Sequence, residues 1–256
     1  MTLLTTEQVR AELTRGGFIA AAEEADELVE AADGDPATLA DFLRRRMTGE
    51  PLAWITRSSS FLGRTIAITP GVYVPRWQSE ALARHAIELL PPLGRAIDLC
   101  TGSGALAVTL RDAHPAARVI GTDLNPVAVE CARRNGVEAY CGDLFDPVPQ
   151  ACRTEVDLIT SIAPYVPTAL LDRLPRDTMS FESPLAYDGG DDGLSLITKV
   201  ATGAADSLVS GGSLLIEVGP DQIEPASGVL TDMGFVITRV LVDGDGDARG
   251  IASRYG

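Results

Sequence analysis

Residues 96–110 read AIDLCTGSGALAVTL, and three features of this stretch decide the fold class. Ala96 to Leu99 is a short apolar run around a single acid, which is typical of a buried parallel strand. A glycine-rich turn follows, and from Ala105 onward the apolar residues recur at helical spacing. A strand that passes through such a turn into a helix begins a βαβ unit. The stretch therefore predicts an α/β fold with a ligand site at the turn.

Strand and helix patterns alternate through the chain from Arg95 onward. The strand candidates are AIDLC, VIGTDL, VEAYCGD, VDLITS and SLLIEV, and the helices between them are Ala105–Ala113, Pro126–Asn135, Leu194–Leu208 and Gln222–Met233. The tail FVITRVLVDGDGDARGIASRY predicts two more strands joined at residues 244–247. We therefore expect a mostly parallel, doubly wound, Rossmann-like sheet of seven strands, closed at one edge by an antiparallel hairpin.

The N-terminal part has a different pattern. Residues 1–50 have helical periodicity with breaks at Gly16-Gly17 and at Asp35-Pro36, where Asp35 is suited to cap a third helix that runs to Met47. Residues 52–74 contain short β-like pieces that predict a hairpin. We therefore predict an N-terminal helical domain at 1–50, a β-hairpin linker at 51–75 and an α/β domain at 76–256 that carries the site.

Composition limits the classes of function. The formal net charge of −15 disfavours general binding to a nucleic-acid backbone, so a protein or small-molecule partner is the expectation. No apolar run reaches the roughly 18 residues that span a bilayer, and the N-terminus lacks a signal-peptide pattern. The four cysteines form no CxxC pair, and with only two histidines present we expect reduced thiols and no metal site. We expect a cytoplasmic protein without membrane contact.

Acids stand at the ends of three successive predicted strands: Asp98, Asp123 and Asp143. The carboxyl ends of parallel strands share one edge, so these side chains should face one crevice. Asp123, about 20 residues after the glycine turn, is placed to bind ribose hydroxyls. The crevice has no P-loop lysine, and its negative charge suits a cationic ligand better than a pyrophosphate. S-adenosylmethionine, which carries a sulfonium and an ammonium group, fits these residues, although the turn alone is also compatible with a structural role.

The order of motifs resembles the HemK-like protein-(glutamine-N5) methyltransferases, whose best-known members modify peptide-chain release factors. The resemblance covers nearly the whole chain and rests on DLCTGSGALAVTL, GTDLNPVAVECARRN, YCGDLF, VDLITSIAPYVP, PLAWITRSSSFLG, GVYVPRWQSEAL, FESPLAYDGGDDGL and DARGIASRY. It implies a class I S-adenosylmethionine methyltransferase domain behind a small helical domain. The enzyme would use S-adenosylmethionine as cofactor, and its acceptor would be a protein, for example a release-factor-like one, or a small molecule.

The resemblance also implies roles for individual residues. The cofactor-binding positions are Asp98, Thr101, Gly102 and Gly104 at the methionine part, Asp123 at the ribose, Asp143 with Leu144 near the adenine, and also Leu124. Cys100 stands where the family usually has glycine, and this substitution is tolerable if φ at that residue is below zero. In the acceptor pocket, Tyr165 is expected to form an aromatic wall, with Phe61 and Trp77 lining it from the hairpin side.

The catalytic loop departs from the family pattern. Where the family has Asn-Pro-Pro-Tyr, this chain has Ile162, Ala163, Pro164 and Tyr165. In the family the asparagine accepts a hydrogen bond from the substrate amide, which Ile162 is unable to do. Three explanations are open: a methyltransferase for another acceptor, a weakened glutamine enzyme, or a cofactor-binding protein without catalysis. A nucleic-acid or nucleoside amino-methyltransferase is a further alternative, which the net charge disfavours.

Overall fold

The N-terminal part is helical. The computed structural model describes residues 4–174 and 180–256, so residues 1–3 of the predicted helical domain lie outside it. The first three helices are α1 (Thr6–Arg15), α2 (Ala21–Ala31) and α3 (Pro36–Arg46). Asp35 caps α3 by accepting hydrogen bonds from the backbone N–H groups of Ala37 and Thr38, as its sequence predicts. The three helices share a core of their own that contains Val9, Leu28 and Leu39.

Residues 52–67 combine a short helix with a hairpin. The expected β structure is wrong for Leu52–Thr56, which forms helix α4 and buries Ile55 among the N-terminal helices. The helix ends at Arg57, which has left-handed backbone angles. The hairpin itself is confirmed: β1 (Ser58–Phe61) pairs with β2 (Arg64–Ala67). Leu62 and Gly63 both have positive φ, as a tight two-residue turn requires.

The α/β part contains the expected seven-stranded sheet. Its strands are β3 (Arg95–Leu99), β4 (Arg118–Asp123), β5 (Glu138–Cys141), β6 (Val156–Ser161), β7 (Leu208–Glu217), β8 (Phe235–Val242) and β9 (Ala248–Tyr255). Its helices are α5 (Glu80–Leu89), α6 (Ala105–Ala113), α7 (Pro126–Arg134), α8 (Ser195–Ser207) and α9 (Ile223–Asp232). The strand order is β5-β4-β3-β6-β7-β9-β8, parallel except for β9, which runs antiparallel to both β7 and β8. The predicted parallel sheet and its closing hairpin are both confirmed.

Helices cover both faces of the sheet. Successive residues of one strand point to opposite faces, so Leu158 joins the apolar cluster beneath α5 and α6, while Ile159 joins the cluster beneath α8 and α9. The chain moves outward from β3 to β4 and β5, then returns to place β6 on the other side of β3. The carboxyl ends of β3 and β6 thus flank the point at which the winding reverses, where open α/β sheets bind their ligands.

Candidate active site

A cavity of about 610 Å³ opens at the carboxyl ends of the parallel strands. This volume lies within the usual range for sites that hold small molecules. Nearly all of the predicted site residues line it: Phe61, Asp98, Thr101, Gly102, Asp123, Leu124, Asp143, Leu144, Ile162, Ala163, Pro164 and Tyr165. The three strand-end acids therefore face one crevice, as the sequence predicts.

Asp98 lies at the bottom of the cavity and is 2% exposed. Its carboxylate accepts hydrogen bonds from the hydroxyls of Thr101, at 2.6 Å, and Thr160, at 2.8 Å. Burial nevertheless raises the pKa of Asp98 to about 6, because the two hydrogen bonds only partly offset the loss of solvent. The group is ionised at neutral pH and gives the cavity a buried negative charge.

Asp123 holds the glycine turn. Its carboxylate accepts hydrogen bonds from the backbone N–H of Gly102 and from that of Asn125, each at 2.8 Å. Gly102 has φ +56°, a left-handed conformation that a residue without a side chain adopts at little cost. Burial raises the pKa of Asp123, against which both backbone hydrogen bonds act. The acid therefore couples the end of β4 to the turn after β3.

Two expectations about the turn need correction. The sequence predicts that cysteine replaces glycine at position 100 without strain if φ there is negative. Cys100 has φ +57°, so this expectation is wrong and the residue adopts a backbone conformation that disfavours a side chain. Gly104, with φ +80°, is absent from the described residues that line the cavity. A Cβ atom at Gly104 would lie 2.9 Å from Val137 Cγ2 and 3.1 Å from Ala132 Cβ. Gly104 therefore allows the start of α6 to pack closely against its neighbours and has no contact with the cavity.

The Ile162–Tyr165 loop forms one wall of the cavity at the end of β6. Ile162 is partly buried and packs against the apolar cluster beneath α5 and α6. The backbone carbonyl of Tyr165 accepts a hydrogen bond of 2.7 Å from the side-chain amide of Gln222. Burial and the nearby carboxylate of Glu217 raise the pKa of the Tyr165 phenol, so the phenol stays protonated. This wall has the apolar side chain of Ile162 at the position where the family resemblance implies an asparagine.

Two further polar side chains line the cavity: the sequence left open whether Glu217 is a structural or a pocket acid, and it did not single out Ser79. Glu217, at the end of β7, and Ser79, just before α5, are 4% and 2% exposed and both line the cavity. Glu217 Oε2 and Ser79 Oγ are buried and form no hydrogen bond of full geometry. The two side chains nevertheless interact: burial raises the pKa of Glu217, and the Ser79 hydroxyl acts to lower it. Buried polar atoms whose hydrogen bonds are incomplete can pair with a ligand, so these two atoms are candidates for ligand contact.

The aromatic predictions have different outcomes. Phe61 is 1% exposed and lines the cavity, but Trp77 is 50% exposed and is not among the described lining residues. The Trp77 ring lies against the turn between β8 and β9, where a Cβ atom at Gly244 would be 3.6 Å from Trp77 Cζ3. The structure therefore does not bring Trp77 to the acceptor side. Tyr73, which the sequence did not single out, does line the cavity.

The segment just before α5, which contains Tyr73 and Arg76, is held by a contact with a distant part of the chain. Arg76 lies 3.1 Å from Glu182 and 5.3 Å from the centre of the Tyr73 ring. The Glu182 carboxylate, 4% exposed, also accepts a hydrogen bond from the Tyr187 hydroxyl. This contact fastens the segment before α5 to residues 182–187, and both border the cavity.

The arrangement suits a donor of methyl groups. Three carboxylates at adjoining strand ends favour a cation, and Thr101 and Gly102 of the turn after β3 line the same cavity. Among the described residues, no group of three or more His, Cys, Asp or Glu side chains could hold a metal ion. The fold and the site define a class I S-adenosylmethionine-dependent methyltransferase.

Comparison with known proteins identifies the family. The family model described as "Methyltransferase domain" matches residues 96–176. A release factor glutamine methyltransferase of Neisseria gonorrhoeae is 37% identical over 250 residues, which cover 95% of this chain and 86% of the relative. The chain belongs to the family of the HemK-like release factor glutamine methyltransferases.

Two further proteins complete the comparison. A 4-amino-L-phenylalanine/4-methylamino-L-phenylalanine methyltransferase of Streptomyces pristinaespiralis is 38% identical over 193 residues, or 71% of this chain and 65% of that protein. A methyltransferase structure from Pyrococcus furiosus superposes with a TM-score of 0.57 at 16% identity, covering 85% of this chain and 99% of that one. The last comparison supports the fold alone. In the part of the chain that the structure describes, every helix is too short or too polar to cross a membrane.

Proposed function

We propose that this enzyme transfers a methyl group from S-adenosylmethionine to the nitrogen of an acceptor other than the glutamine amide that the family asparagine binds. The observation that carries this proposal is Ile162, which lines the acceptor wall but has no hydrogen-bonding group. Loss of such a polar partner typically lowers the rate by a factor of about 10²–10³, so glutamine would be a poor acceptor here.

The cofactor half of the proposal rests on the acids and the glycine turn. Asp123 would bind the ribose hydroxyls, and the turn at Thr101 and Gly102 would border the methionine part beside Asp98. Leu124, Asp143 and Leu144 would surround the adenine. S-adenosylmethionine supplies an activated methyl group on a sulfonium centre. The protein orients the acceptor nitrogen in line with the carbon–sulfur bond and excludes water. Positioning of this kind lowers the activation barrier by several kcal/mol.

The relatives support nitrogen as the accepting atom. The Streptomyces relative is named for an aromatic amine, and other relatives are named for a glutamine amide. These names do not favour the nucleic-acid alternative. Release-factor glutamine is the second candidate acceptor, because the Neisseria relative aligns with nearly the whole of this chain.

We also propose the cytoplasm as the place of reaction. All four cysteines are free thiols in the structure, which is consistent with a reducing compartment.

One experiment separates the candidates. The protein is incubated with methyl-labelled S-adenosylmethionine and with release factor, 4-amino-L-phenylalanine or fractionated cell extract. The proposal predicts label in an amine product and at least tenfold less in release factor. Efficient labelling of the release-factor glutamine would contradict it, and a lack of S-adenosylhomocysteine binding by calorimetry would remove the methyltransferase assignment itself.

A further inference from the structure

Glu217 and Ile162 each follow directly after one of two paired residues of β6 and β7. In the parallel pair of β6 and β7, Ser161, the last residue of β6, is opposite Ile216, so Ile162 begins the loop after β6 and Glu217 is the last residue of β7. Both of these residues line the cavity. A polar group is therefore present beside the apolar position, one strand away.

The surroundings of Glu217 leave part of its carboxylate for a ligand. Oε1 is 3.4 Å from the Tyr165 hydroxyl, a long hydrogen bond, and Oε2 forms no hydrogen bond of full geometry, although the Ser79 hydroxyl is close enough to oppose the rise that burial causes in the pKa of the carboxyl group. Arg249, on β9, attracts the carboxylate but forms its own ion pair with Asp243 at 2.7 Å. Among the described residues, none forms an ion pair with Glu217. Such a buried carboxylate is stabilised by a ligand that donates hydrogen bonds to it.

We propose that Glu217 and Ser79 hold the nitrogen of a primary aromatic amine as the methyl acceptor. The inference rests on the proposed function and specifies its acceptor. Glu217 Oε2 and Ser79 Oγ can accept the two N–H bonds of an NH₂ group, which leaves the nitrogen lone pair directed at the methyl group. Tyr73, Tyr165 and Ile162 supply the flat and apolar walls that an aromatic ring requires.

The chemistry selects an aromatic amine over the other nitrogen groups. An alkyl ammonium has no free lone pair at neutral pH and would form an ion pair with Glu217 without reacting. A carboxamide needs a donor for its carbonyl as well as acceptors for its nitrogen. An arylamine is uncharged at neutral pH and keeps its lone pair. In the transfer, that lone pair forms the new N–C bond, the C–S electron pair remains on the sulfur as a neutral thioether, and the released proton passes to Glu217.

The test uses matched acceptors and matched variants. The acceptors are 4-amino-L-phenylalanine, 4-aminobenzoate and p-toluidine. Each is compared with the analogue in which a carboxamide group replaces the aromatic amino group. The variants are Glu217→Gln and Ser79→Ala, with Glu224→Gln as a control at an exposed position in the first turn of α9. Calorimetric binding of S-adenosylhomocysteine and the melting temperature report cofactor-site integrity and folding.

We expect methylation of at least one arylamine and of none of the carboxamides. Glu217→Gln should lower kcat/KM for that amine by about 10–100-fold and Ser79→Ala by about 3–10-fold, with S-adenosylhomocysteine binding unchanged. Glu224→Gln should match the wild type. Binding of S-adenosylhomocysteine without transfer to any arylamine, or full activity of a folded Glu217→Gln variant, would overturn the inference. A wild type that fails to bind S-adenosylhomocysteine would instead overturn the proposed function.

Discussion

The hydroxyl oxygen of Tyr165 lies 3.4 Å from Glu217 Oε1. The last residue of the Ile162–Tyr165 loop is therefore linked to the buried acid at the end of β7. Tyr165→Phe keeps the ring and removes this hydrogen bond. We expect KM for the acceptor to rise about 3–10-fold, as the loss of one weak hydrogen bond predicts, with the affinity for S-adenosylhomocysteine unchanged. Steady-state kinetics test this expectation. An unchanged KM would show that the Tyr165 hydroxyl does not contribute to acceptor binding.

Asp123 supports both the glycine turn and the proposed ribose contact. Asp123→Ala removes the acceptor for the N–H groups of Gly102 and Asn125. We expect the Kd for S-adenosylhomocysteine to rise about 10–100-fold, because hydrogen bonds to a charged group are lost. Calorimetry measures this change, with Asp232→Ala at the exposed end of α9 as the control. Unaltered affinity in Asp123→Ala would contradict the proposed role.

Asp98 is expected to lower the stability of the folded protein at neutral pH and to contribute to cofactor binding. Its folded-state pKa of about 6 lies above the value for an unfolded chain, so its contribution to stability is lost as pH rises from about 4 to 6. Asp98→Asn should therefore raise the free energy of unfolding at pH 7.5 by about 1–3 kcal/mol, and by much less at pH 4. Urea unfolding at the two pH values tests this expectation.

The same variant has a second expected effect. Asparagine lacks the negative charge, so Asp98→Asn should weaken S-adenosylhomocysteine binding at pH 7.5. Wild-type binding should weaken between pH 7 and pH 5 as Asp98 takes up its proton, whereas the variant should be less sensitive to pH over this range. A variant that is less stable at both pH values would show that the carboxylate is needed for folding.

Gly104 is expected to be important for packing. Gly104→Ala introduces a Cβ atom 2.9 Å from Val137 Cγ2, at a backbone conformation that disfavours side chains. We expect a loss of about 1–3 kcal/mol in the free energy of unfolding. Gly228→Ala, in α9, provides the contrast, because its Cβ atom would have open space around it and alanine favours helix. Chemical denaturation should show destabilisation in the first variant alone.

Much of the fold could be predicted from the sequence because its strands are continuous apolar runs and its helices have clear periodicity. Leu52–Thr56 was misassigned because a five-residue helix has too few turns to show a helical period, and its burial against α2 and α3 comes from tertiary contacts. Cys100 shows a second limit. Its residue type favours negative φ, and the hydrogen-bonded turn overrides that preference.

The site was predictable to the extent that it follows from strand ends. Asp98, Asp123 and Asp143 reach one cavity because parallel strands end at one edge. The sequence left open whether Glu217 is a structural or a pocket acid, and Ser79 was not predictable, since their meeting depends on where β7 ends and on the path of the segment before α5. Residue type does not distinguish Trp77 from Phe61 as a pocket residue. The structure does so, because the Trp77 ring lies against the turn between β8 and β9.

The exchange of Ile162 for asparagine tests the central claim most directly. The kcat/KM values of wild type, Ile162→Asn and the control Ile162→Val are measured with release factor and with 4-amino-L-phenylalanine. We predict that Ile162→Asn raises kcat/KM for the release-factor glutamine at least tenfold and lowers it for the amine, while Ile162→Val changes little. Efficient glutamine methylation by the wild type, with a rate that asparagine does not increase, would contradict the account.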